Sequence, residues 1–140
     1  VRLGGVDIRR LGVGNYRQLI AAVMQEDQLF AGSISENIAF SFENDENVKS
    51  AVEEAAKLAA IHDDVLAMPM GYDSLIGDMG SSLSVGQKQR IVLARALFRK
   101  PQIAIFDEAT SSLDVVSERV VIDSIKRLSI TRVIIAHRPE

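Results

Sequence analysis

The apolar run Ile103-Ala104-Ile105-Phe106 ends directly in two carboxylates, Asp107 and Glu108. A run this short and continuous fits a strand buried on both faces of a parallel sheet. A helix with Val121, Ile125 and Leu128 on one stripe follows, and then a second candidate buried strand at 133–136. Strand–helix–strand order predicts a right-handed crossover, and hence an α/β fold with a parallel sheet. Ligands of such sheets bind beyond the C-terminal ends of the strands. The carboxylate pair is therefore either a solvated strand end or part of a site.

The rest of the chain supplies helices and turns. Residues 1–11 mix Val, Ile and Leu with Gly and charge, and read as a short surface strand and turn. Residues 16–26 predict a helical turn leading into a buried strand. Ser33-Ile34-Ser35-Glu36 is a capping box that starts a short helix. From Asp45 to about Ile61 the residues Val48, Ala51, Val52, Ala55, Leu58 and Ala59 form one face at helical period. Pro69-Met70-Gly71-Tyr72-Asp73 and Gly77-Asp78-Met79-Gly80 mark a long connecting loop. His62 with Asp63-Asp64 reads as a solvated helix end. A further helix starts at Ser84, with Ile91, Ala94 and Phe98 apolar, and stops before Lys100-Pro101. The helical middle, roughly 31–85, is expected to be an insert on the sheet.

Composition narrows the function. Of 140 residues, 47% are hydrophobic, enough for a real core, and the net charge is −3. With no run of Lys or Arg, a nucleic-acid partner has no electrostatic support. The absence of cysteine excludes disulfide frameworks and thiolate metal sites. The apolar runs are far too short to span a bilayer. The start, Val1-Arg2-Leu3-Gly4-Gly5, has neither a signal peptide's apolar stretch nor an initiator methionine, and reads as the interior of a longer protein.

The second chemical element precedes the carboxylates. In Leu83-Ser84-Val85-Gly86-Gln87-Lys88-Gln89-Arg90, Ser84-x-x-Gln87 is a helix-capping box. The same helix N-terminus offers free N–H groups and partial positive charge to an anion, and Gly86 permits close approach to the backbone.

These elements resemble the ATP-binding domains of ABC transporters. Residues 103–108 resemble a Walker B motif, and Leu83-Ser84-Val85-Gly86-Gln87 resembles the family's signature sequence. Ser111-Ser112-Leu113-Asp114 is similar to its D-loop. His137 follows the last strand where the family has its switch histidine, and Gln25 matches the Q-loop glutamine. The resemblance implies a P-loop NTPase-like sheet core with an inserted helical subdomain, residues 1–30 and 86–140 giving the core and about 31–85 the insert. It implies that Asp107 and Gln25 serve Mg²⁺, and that Glu108 is the general base, with Gln25 and His137 assisting. Ser84, Gly86 and Gln87 would contact ATP held by a second, head-to-tail copy, and Asp114 would lie at the dimer interface.

Two departures stand out. Val85 replaces the usual first glycine of the signature sequence. None of the five lysines, at 49, 57, 88, 100 and 126, completes a Gly-x-x-x-x-Gly-Lys-Ser/Thr loop. Gly12-Val13-Gly14-Asn15 reads as a turn. The expected P-loop and its strand would lie before Val1, so the chain is expected to be a partial domain that by itself binds ATP weakly or not at all and does not hydrolyse it.

The stretches 23–38 and 71–80 resemble the exporter branch, and Gly77-Asp78-Met79-Gly80 most resembles exporters of bacteriocin, colicin V and type I secretion substrates. The implied partners are transmembrane domains and an exported peptide or protein, at the cytoplasmic face of a bacterial plasma membrane. Two alternatives stand beside this reading. One is a non-catalytic remnant that pairs with a complete domain. The other is a soluble DNA-repair or chromosome-type ABC ATPase, for which heptads or basic surfaces would be expected.

Overall fold

The computed structural model describes residues 1–24, 26–40, 46–77 and 83–135. Strands β1 (Arg2–Leu3) and β2 (Val6–Asp7) form a small antiparallel hairpin. Gly4 and Gly5 turn it with φ of 55° and 82°, a region that suits glycine. Asp7 caps α1 (Ile8–Leu11) by accepting from the Arg9 N–H. Gly12 alone makes the next turn, because α2 (Val13–Leu19) already begins at Val13. The expected turn over 12–15 is thus mostly helix, and the Asn15 amide donates to the Leu11 carbonyl. Then β3 (Ile20–Val23) enters the main sheet.

The middle of the chain is helical. After β4 (Gly32–Ser33) comes α3 (Ile34–Ala39), with the expected capping box formed on both sides. The Ser33 hydroxyl accepts from the Glu36 N–H, and the Ser33 N–H donates to the Glu36 carboxylate. A cap of this kind is worth about 1 kcal/mol. Helices α4 (Glu46–Leu58) and α5 (His62–Leu66) follow, then a short 3₁₀ turn (Gly71–Asp73). Strand β5 (Leu75–Ile76) pairs with β4.

The third part holds α6 (Val85–Phe98), β6 (Ile103–Asp107), α7 (Val115–Arg127) and β7 (Thr131–Ile135). Strands β3, β6 and β7 form one parallel sheet with β6 in the centre. Helix α6 packs against α3, α4 and β3. It buries Ile91, Val92, Leu93, Ala94, Ala96 and Leu97, more of its circumference than the expected stripe. Fully burying Ile91 and Leu93 alone contributes about 1.5–3 kcal/mol each, so packing rather than propensity holds this helix. Among the described residues no helix is long and apolar enough to cross a membrane.

Three expectations are corrected. β6 is sealed on one face by Ala104 and Phe106, while Ile103, Ile105 and Asp107 on the other are only half-buried. β7 is exposed along its whole length, with Ile134 67% exposed, although its sequence reads as a buried strand. It bonds to β6 alone among the described strands, and no described helix packs extensively on either of its faces. The His62–Asp64 segment is not simply solvated. His62 Nδ1 and the Tyr72 hydroxyl share a 2.8 Å hydrogen bond. Burial, helped by Glu53 and Asp63, pushes the Tyr72 hydroxyl well above the usual phenolic range.

Candidate functional site

Strand β6 ends at Asp107, and the chain then turns sharply. Glu108 has φ 51°, left-handed backbone that costs a non-glycine residue energy. Hydrogen bonds on both sides hold this turn. The Glu108 N–H donates to the Ile135 carbonyl of β7 at 3.0 Å. Its carbonyl accepts from the Ser111 N–H at 3.0 Å and from Gln89 Nε2 at 3.0 Å. Asp107 and Glu108 are both half-buried, accessible at the C-terminal end of the central parallel strand.

The stretch after Glu108 leads to Asp114. The Leu113 N–H donates to the Thr110 carbonyl, and the Thr110 hydroxyl donates to Glu118 at 2.8 Å. Asp114 caps α7, its Oδ1 accepting from the N–H groups of Val116 (3.1 Å) and Ser117 (3.0 Å). The Ser117 N–H, then the Ser117 side chain and the Val116 N–H, hold the Asp114 carboxyl below the usual carboxylate range.

The N-terminus of α6 stands beside this stretch. The Ser84 hydroxyl accepts from the Gln87 N–H at 3.1 Å, and the Ser84 N–H donates to Gln87 Oε1 at 2.9 Å. A hydroxyl that accepts in a cap still has its own proton to donate, and the Gln87 amide keeps its N–H donors. Ser84 and Val85 are exposed, so the first turn presents donors and the positive helix end to solvent. Gly86 has a structural reason besides anion approach: a Cβ there would lie 3.2 Å from the Ser112 carbonyl oxygen and 3.8 Å from the Leu113 side chain.

Of the residues singled out in the sequence, Asp107, Glu108, Ser84, Gly86, Gln87 and Asp114 fall in this region. Gln25 and His137 lie outside the described residues, as do Asp78 and Ala136. Among the described residues no group of three or more His, Asp or Glu gathers as a metal cluster. Sequence reasoning missed the side chains that fasten the region together. Gln89 bridges Glu108 and Ser112. Arg90 reaches Asp64 and also donates to the Ala60 carbonyl. Arg95 donates to the Asn37 and Gln28 carbonyls and lies over the rings of Phe30 and Phe40. The one available signal was Arg95, a lone charge within the otherwise apolar run 91–98.

A parallel sheet packed with helices, whose central strand ends in adjacent carboxylates, defines an α/β fold of the class that binds ligands beyond its strand ends. The chain belongs to the ABC transporter family, whose model, described as ABC transporter, matches residues 1–111. It is 57% identical over 139 residues to a probable microcin-H47 secretion/processing ATP-binding protein of Escherichia coli. It is 55% identical over 139 residues to a colicin V secretion/processing ATP-binding protein of the same organism. Each alignment covers 99% of this chain but 20% of the relative, so the chain spans about a fifth of their length. Among solved structures, it matches a bacterial Atm1-family ABC exporter with ATP bound. That match has a TM-score of 0.85 and 38% identity, covering 96% of this chain and 23% of the other.

Proposed function

We propose that this chain forms part of an ATP-hydrolysing domain that powers export of a peptide or protein across a bacterial membrane. The observation that carries the proposal is the placement of Asp107 and Glu108 at the exit of the central parallel strand, with the exposed, capped N-terminus of α6 packed on the stretch that follows them at Ser112. The names of the two Escherichia coli relatives support the secretion reading. Residues 31–85 act as the helical subdomain, and 1–30 with 86–140 as parts of the core. The domain works at the cytoplasmic face of the membrane, against transmembrane domains and a second copy of itself.

In this reading Asp107 would hold Mg²⁺, an ion that keeps much of its hydration shell and needs few protein ligands, and that would supply positive charge against the phosphates. Glu108 accepts the proton of the attacking water as its oxygen bonds to the γ-phosphorus and the bond from that phosphorus to the β,γ-bridging oxygen breaks, releasing ADP, with Gln25 and His137 assisting. Ser84, Gly86 and Gln87 donate hydrogen bonds to the γ-phosphate of ATP held by the opposite copy, and Asp114 faces that copy.

The test is Glu108→Gln in the full-length protein. Hydrolysis should fall by roughly 10²–10⁴, the range for loss of a general base, while ATP binding persists. Turnover within about threefold of the parent would remove Glu108 from the role.

A further inference from the structure

One side chain fastens α6 to the exit of β6. Gln89 Nε2 donates to the Glu108 carbonyl at 3.0 Å, and Gln89 Oε1 accepts from the Ser112 N–H at 3.1 Å. One helical turn earlier, the missing side chain of Gly86 lets the Ser112 carbonyl lie close against the same helix. On the neighbouring position Arg90 anchors α6 to Asp64 and the Ala60 carbonyl. The first turns of α6 are therefore held from the helical middle and from the carboxylate turn together.

We propose that Gln89 is a positioning residue for hydrolysis. Through the Glu108 carbonyl it fixes the left-handed turn that aims the Glu108 carboxylate. The bond that its Oε1 accepts from the Ser112 N–H holds the amide in place for that contact. This rests on Glu108 being the base.

The physical argument starts from the backbone. The backbone sets the direction in which the Glu108 side chain leaves the chain, and the φ of 51° there is not one that a glutamate chooses unaided. Releasing the carbonyl from Gln89 removes one of the bonds that keep the turn from relaxing. A general base must lie within hydrogen-bond reach of the proton it takes. A misplacement of about 1 Å can cost roughly 10² in rate. Glutamine suits the position because one amide offers a donor and an acceptor together. Glutamate could only accept, and methionine could do neither.

The experiment measures phosphate release from Mg²⁺-ATP by the full-length protein. Gln89→Met should lower kcat by roughly 10–100-fold with KM for ATP within about twofold of the parent. Gln89→Glu, which keeps the acceptor for Ser112 but opposes the Glu108 carbonyl with a carboxylate oxygen, should fall similarly. It also serves if the Met variant does not fold. In a Glu108→Gln background, Gln89→Met should cause no further loss, because its effect passes through Glu108. A parental kcat in both Gln89 variants overturns the proposal. So does a further fall in the double variant, or kcat and KM worsening together in both Gln89 variants with loss of folded protein, which are marks of a structural role. Parental turnover in Glu108→Gln removes the base assignment itself, whereas inactive Glu108→Gln beside fully active Gln89 variants removes only the positioning.

Discussion

Arg90 meets Asp64 across 2.6 Å, joining the helix that begins at Ser84 to the helical middle of the chain. The Arg90 side chain is only 12% exposed, and the Asp64 side chain is 37% exposed. Arg90→Ala should lower stability by about 1–2 kcal/mol, less than a fully buried pair would lose, because water still reaches Asp64. Arg90→Lys keeps the charge without the planar fork, and should recover only part of that. The midpoint of thermal unfolding checks both, and an unchanged midpoint in Arg90→Ala would discard the clamp.

Asn37 is fully buried and fully satisfied. Its Oδ1 accepts from the Phe30 N–H and from Arg95, and its amide donates to the Phe30 and Ser33 carbonyls. Asn37→Ala strands these backbone groups, at a cost of about 2–4 kcal/mol. Amide exchange at Phe30 should accelerate by a similar free energy. Parental protection at that amide would show that the segment is held by something else.

Ser84 is expected to serve the nucleotide of the opposite copy. Ser84→Arg puts bulk and charge at the helix N-terminus and should block closure of the pair. Mixing Ser84→Arg subunits with Glu108→Gln subunits separates the two geometries. If Ser84 acts across the interface, each mixed dimer keeps one site intact in both halves, and activity should exceed that of either homodimer. If Ser84 acts on its own subunit's nucleotide, each site carries one lesion and no rescue appears. Confirmed mixed dimers with no rescue, where one-site cycling has been shown independently, would leave Ser84 as a helix cap.

Asp114 gives a pH signature. Its carboxyl is held below the ordinary range by the Ser117 and Val116 contacts, so the folded state favours the charged form. The stabilisation is complete above the unfolded value of about 3.9 and is lost as pH falls through the lower folded value. Asn is also a good N-cap but does not titrate. The difference in unfolding midpoint between parent and Asp114→Asn should therefore be present at pH 7 and shrink below about pH 4. A constant difference would mean that charge contributes nothing to this cap.

Local features were the legible ones. The capping boxes at Ser33 and Ser84, and the helix containing Val52 and Ala55, depend on residues three or four apart, and they form as the sequence predicts. The central place of Ile103-Ala104-Ile105-Phe106 was legible as a strand, and the parallel α/β class followed from element order. The exposure of Val133, Ile134 and Ile135 was not, because an apolar run reads alike at the centre and at the edge of a sheet. At the site, Asp107, Glu108 and Ser84 were visible as motifs. The contacts of Gln89 with Glu108 and of Arg95 with Asn37 were not, since no periodicity links partners 19 and 58 positions apart.

The pairing of Ile20 with Ile103 sets a clock on biosynthesis. The two residues are 83 positions apart (103 − 20), so β3 is made long before the strand that completes its ladder. At about 5–20 residues per second, β3 waits roughly 4–17 s without its neighbour. The capped helix at Ser33 and the α4 helix need no such partner to begin forming. During synthesis the helical middle can therefore take shape first, while the strand leading toward Met24 still lacks its β6 partner.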